Sequence, residues 1–110
     1  MDFVLKSGAK LTVSMSEFGI GNRIRKAFRR IGKAGGDLLT DEEMEELIFA
    51  AGEKAIYEGR KVNRALFDDA KLGTQARGDY DEIFKEILEV NLAPFFPNAS
   101  SVESSTQQAT

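Results

Sequence analysis

Six cations fall between residues 23 and 33 with no acid among them: Arg23, Arg25, Lys26, Arg29, Arg30 and Lys33. Such a run can neutralise phosphates, pair with a neighbouring acidic element or dock an acidic partner chain. Little else in the sequence suggests chemistry. The chain has no cysteine, so it has no disulfide, thiolate nucleophile or cysteine-held metal. It also has no histidine, the usual triad base and commonest metal ligand. Acids do cluster, at Asp68-Asp69 and at Asp79 with Asp81 and Glu82. They lack the alternating oxygen-ligand spacing of a calcium loop, and a place at helix N-termini explains them. Gly19-Ile20-Gly21 lacks the third spaced glycine and the preceding strand of a dinucleotide-binding loop. The residues therefore predict a protein that is not an enzyme, with no catalytic, cofactor-binding or metal-binding site.

The basic run belongs to a wider segregation of charge. Residues 1–36 carry +6 and residues 37–110 carry −9, for a net charge of −3. Three readings stay open: a nucleic-acid surface, opposed by the acidic remainder; an internal face against the acidic helix that follows; and a contact between chains, steered by complementary fields. Phe95 and Phe96, set between Pro94 and Pro97, form a second candidate contact, with at least one ring partly exposed and one closing the core. Arg23, Arg25, Lys26, Arg29, Arg30, Phe95 and Phe96 are thus the candidate protein-binding residues.

The elements that must position them follow from periodicity. Phe3 and Leu5, then Leu11, Val13 and Met15, alternate about a turn containing Gly8, which predicts a β-hairpin. Ile20, Ile24, Ala27, Phe28 and Ile31 then recur at helical spacing, with Ser16 as N-cap and Asn22–Gly32 as the firmest part. Thr40 with Glu43 forms a capping box for a second helix with Met44, Leu47, Ile48, Ala51, Ala55, Ile56 and Tyr57 on its buried side, stopped by Gly59. Asn63 caps a short turn, residues 72–78 read as a loop, and Asp79 caps a third helix buried through Ile83, Phe84, Ile87, Leu88 and Leu92. Asn91 falls on that apolar side and needs a partner, most simply a loop backbone group. The expected fold is mainly α within the α+β class: one domain over residues 1–97, an N-terminal hairpin on three main helices, and a disordered polar tail at 98–110. No stretch has the ~20 apolar residues of a membrane span.

In sequence order these residues resemble the tail assembly chaperone family of long-tailed, siphovirus-type bacteriophages and prophages. The resemblance runs from about Phe3 to Phe96. It is carried by Val4-Leu5-Lys6-Ser7-Gly8-Ala9-Lys10, by Ile56-Tyr57-Glu58-Gly59-Arg60-Lys61-Val62 leading to Leu66-Phe67-Asp68-Asp69, and by Asp79-Tyr80-Asp81-Glu82-Ile83-Phe84 through Glu86 to Phe96. The basic first helix and the glycine-rich stretch 32–36 depart from the family pattern. The resemblance implies a virion-morphogenesis factor of the host cytoplasm, absent from the mature virion. It would keep the tape measure protein soluble and help recruit tail tube subunits. It would also self-associate and could have a form extended by programmed frameshift. Nucleic acid and membrane are not expected partners; the alternative is a small nucleic-acid-binding regulator using helix 22–33.

Overall fold

A computed structural model describes residues 1–97; the stretch 98–110, expected as a disordered tail, lies outside the described residues. The chain runs β1 (Asp2–Val4), β2 (Lys10–Val13), α1 (Phe18–Lys33), α2 (Glu42–Ala51), β3 (Ala55–Tyr57), β4 (Arg60–Lys61), α3 (Gly73–Gly78) and α4 (Tyr80–Leu92). Short 3-10 turns occupy 52–54, 64–68 and 93–95. The class is the expected one, mainly helical with an antiparallel strand set that begins at the N-terminus.

The hairpin forms where the alternation placed it. Gly8 adopts φ 92°, its N–H donates to the Leu5 carbonyl at 2.8 Å, and Phe3 stands opposite Leu11. It is half of a four-stranded sheet in the order β1-β2-β3-β4, all pairs antiparallel. Leu11 pairs with Tyr57 and Val13 with Ala55, so the inward row of β2 continues into β3. Met15, expected to continue that row, is exposed because β2 ends at Val13.

The expected length of the second helix is corrected by the same strand. Ala51 and Ala55 fit a helical spacing, but Ala55 and Tyr57 also fit a strand with Ile56 facing out, and pairing with β2 selects the strand. Gly52 permits the change of direction, since a Cβ there would lie 2.9 Å from the Val62 carbonyl oxygen. Three caps also differ from expectation. Asp41, not Thr40, accepts the Met44 N–H at 2.9 Å, and Glu43 pairs with Arg30 instead of closing a capping box. Ser16 is buried before α1 and makes no cap, and the helix runs through Gly19 and Gly21 from Phe18. Asp79 precedes α4 but its side chain is turned inward and caps nothing. The expected loop at 72–78 holds α3, preceded by a turn in which the Asp69 carboxylate accepts from the Lys71 and Leu72 N–H groups. Asn63 does cap its 3-10 turn, accepting from Leu66 N–H at 3.1 Å.

The core joins Leu11, Val13 and Tyr57 from the sheet to Ile24, Met44, Ile83, Phe84 and Ile87 from the helices, all nearly inaccessible. Each large aliphatic or aromatic side chain so buried contributes about 2 kcal/mol of transfer free energy. Helices α1, α2 and α4 pack mutually, and α4 also packs on β2.

Candidate functional site

Phe18, Asn22, Arg25 and Arg29 recur at i, i+4, i+7 and i+11, which places them along one side of α1. Ile24, Ala27 and Ile31 occupy a different side and are buried, so the helix is held without using the first set. The 3-10 turn after α4 brings Phe95 and Phe96 to that stripe. The Arg25 guanidinium lies 5.1 Å from the Phe95 ring centroid and that of Arg29 lies 5.9 Å from Phe96. Phe18 tilts against Phe95 with centroids 6.1 Å apart, yet keeps 74% of its surface exposed. Arg25 is further oriented by Asn22, whose Oδ1 accepts from Nε at 3.1 Å and Nη2 at 2.5 Å. Ring and side-chain amide fix the arginine in place, so a group that met it there would cost little further side-chain entropy.

Two close contacts keep the end of α4 beside α1. Gly21 is buried under Phe95, and a Cβ there would lie 3.5 Å from the ring's Cε2. Asn91 is buried too; its Oδ1 accepts from the Ser16 N–H at 2.9 Å and its Nδ2 donates to the Ile87 carbonyl at 2.8 Å. The amide therefore serves the loop backbone, as its place on an apolar face suggested.

The seven sequence-predicted residues do not all converge. Arg25, Arg29, Phe95 and Phe96 form one surface, with Phe95 and Phe96 both half-buried. Arg30 turns to α2 and pairs with Glu43, with more than half of each side chain in solvent. Arg23 and Lys26 are exposed away from the rings and make no ion pair among the described residues. Of the six cations in the run, Arg30 alone supports the internal reading, in which the basic helix faces the acidic one. Phe18 was missed, because a phenylalanine at the start of an amphipathic helix reads as core; its spacing of seven residues from Arg25, off the Ile24–Ile31 stripe, was the available signal.

At the opposite end of α4 the buried Asp79 is used internally. Asp79 Oδ2 accepts from the Ser7 hydroxyl at 2.6 Å and from the Tyr57 hydroxyl at 2.7 Å. Gln75 donates to the Tyr57 oxygen at 3.1 Å. Burial, then the hydrogen bond to Asp79, pushes the Tyr57 phenol up to about 12. This joint ties the hairpin turn, β3 and α4 together.

A shallow groove of about 470 Å³ opens between Phe49, Phe67 and Tyr80. Phe67 meets Phe49 and Tyr80 edge-on, at 6.0 Å and 5.5 Å. Its cations are already engaged: Arg64 lies 4.5 Å over Phe49 and pairs with Glu46, and Arg77 pairs with Asp68. Tyr80 donates to Glu45 at 3.2 Å, and burial followed by the Glu45 charge pushes its phenol up to about 12. This groove has less unsatisfied chemistry than the α1 stripe.

Among the described residues no three or more Asp or Glu side chains are placed to hold a metal ion, and no helix is long and apolar enough to cross a membrane. Comparison of the chain with protein-family models, with curated proteins and with solved structures finds no match.

Proposed function

We propose that the domain is an assembly chaperone of the phage-tail type, which binds a tape measure protein through the stripe formed by Phe18, Arg25, Arg29, Phe95 and Phe96. The observation that carries this reading is the pair of arginines laid over phenylalanine rings beside an aromatic side chain left in water. Exposed aromatics and arginine are the residue types that dominate binding energy at protein contacts. A client segment with carboxylates beside apolar residues meets both halves of the stripe. The charge segregation adds steering, and repeated weak contacts along one long client gain strength through effective concentration. The resemblance set out above supplies the tape measure protein as that client, with recruitment of tail tube subunits as the consequence, in the host cytoplasm and before the virion is complete.

Co-expression with the tape measure protein of the same genome tests this. The expected result is a soluble complex that dissociates as salt rises and is lost in the Arg25→Glu/Arg29→Glu variant with helicity unchanged. A tape measure protein that stays insoluble, or a complex indifferent to that double substitution, overturns the reading.

A second reading, a nucleic-acid-binding regulator, is favoured by Arg23, Lys26 and Lys33, which are exposed and make no ion pair among the described residues. Against it stand the acids of α2 and α4, whose field repels a polyanion. Gel-shift measurements at two salt concentrations decide: retention of duplex at low salt that falls steeply with added salt would favour the regulator.

A further inference from the structure

A second groove lies between the connection from α1 to α2 and the outer side of α4, with a volume of about 590 Å³. Leu38, Leu39 and Leu88 line it, and Leu39 is 36% exposed although it is a large aliphatic side chain. Asp81, Glu82 and Glu86 rise from α4 beside them. Asp37 adds a fourth carboxylate, against Lys6 and Lys85 at the rim, so the groove is net negative. Glu86 is half-buried, and its carboxyl is pushed above the ordinary value by that burial first and then by Glu89 and Glu82, with Lys85 opposing. Glu82 accepts from the Lys6 backbone N–H at 3.3 Å and Asp37 from the Leu39 N–H at 2.9 Å, whereas Asp81 and Glu86 make no hydrogen bond or ion pair among the described residues. Beside exposed Leu39 and half-buried Leu38, with core Leu88 as the floor, these two carboxylates leave negative charge at an apolar surface, and a cation set among apolar groups answers both conditions.

We propose that this groove is a docking site for a basic amphipathic helix of a partner protein. Glu82 and Glu86 stand one helical turn apart, so they present charges about 6 Å apart along α4. A helix laid alongside repeats its own lysines or arginines at the same interval, while the apolar residues between them reach the leucines. The chain's own basic helix does not meet this description in a second copy. The apolar stripe of α1 is buried in its own core, so a neighbouring copy offers cations without the aliphatic side chains that the leucines require. The inference rests on the reading of the domain as a partner-binding module and adds a client surface opposite in charge to the first. Antiparallel packing sets the two surfaces apart, since Phe95 lies over Gly21 near the start of α1 while residues just beyond the end of α1 share this groove with the first half of α4.

The test is fluorescence anisotropy of the full chain with a short labelled peptide carrying leucine and lysine at helical spacing, beside a control in which glutamate replaces lysine. The lysine peptide is expected to bind, more weakly as salt rises, and the control is not. Glu86→Lys, at a half-buried position of the groove, and Leu39→Ser, at an exposed one, are each expected to weaken binding by about tenfold with helicity by circular dichroism unchanged. Arg25→Glu/Arg29→Glu is expected to leave it unaltered, which separates this site from the α1 stripe and its failure from failure of the chaperone reading. Absence of binding, equal binding of both peptides, or indifference to Glu86→Lys and Leu39→Ser overturns the proposal. Sedimentation showing oligomers of the chain alone that dissolve in Glu86→Lys also overturns it, by making the occupant a second copy.

Discussion

The two ends of α4 carry polar side chains to opposite purposes. At its start Asp79 is buried and is held by hydroxyl donors from the hairpin turn and from β3. At its finish Asn91 is equally buried, but the rings just beyond it face cations at the surface. At the first end Asp79 closes its interactions inside the domain and so contributes to stability. The second anchors itself with one amide and leaves arginine and phenylalanine together at the surface. Satisfaction within the fold, more than residue type, separates the groups that hold the domain together from those left open to solvent.

Substitutions sharpen that contrast. Asp79→Ala leaves the Tyr57 and Ser7 hydroxyls without their acceptor and is expected to cost about 3 kcal/mol in urea unfolding. Asn91→Ala orphans one buried backbone N–H and opens a small void, for about 2 kcal/mol by the same measurement. An intact Asp79→Ala domain beside an unfolded Asn91→Ala domain would reverse the assignment of the two ends. Alkali probes the closed end in another way. The two tyrosines, Tyr57 and Tyr80, hold their protons up to about 12, so the stability this confers is complete below pH 10 and disappears as pH rises through 12. Ultraviolet titration of the folded chain is expected to show tyrosinate only near that upper value; ionisation of both near pH 10 would contradict it. Arg30→Ala removes an exposed pair with Glu43 and is expected to change stability by less than about 1 kcal/mol in the same unfolding experiment. Phe18→Ser is expected to change stability by less than about 0.5 kcal/mol while abolishing the proposed capture of a tape measure protein in co-purification.

Much of the fold was legible because its signals are local. Alternation at Leu11 and Val13 and the helical recurrence of Ile24, Ala27 and Ile31 each specify one face without reference to the rest of the chain. The stretch from Ala51 to Tyr57 was not legible in that way. Its residues satisfy period four and period two alike, and only the partner strand β2 separates the two. Helix α3 was hidden by glycines at both of its ends, and the turn that leads into it is closed by the carboxylate of Asp69. The candidate site divides similarly. Arg25, Arg29, Phe95 and Phe96 were each visible as a residue type, whereas their pairing required α1 and α4 to pack side by side.

Composition and order alone determined a mainly helical chain without histidine or cysteine, its charge divided between a basic beginning and an acidic remainder. Those are sums and periodicities, which survive in an unfolded chain. Tertiary structure decided that Phe18 stays in water, that Asp79 turns inward, and that two arginines lie over two rings from the far end of the domain. Each of those outcomes depends on which distant group is near enough to accept a hydrogen bond or exclude water, a distance that exists only once the helices have packed.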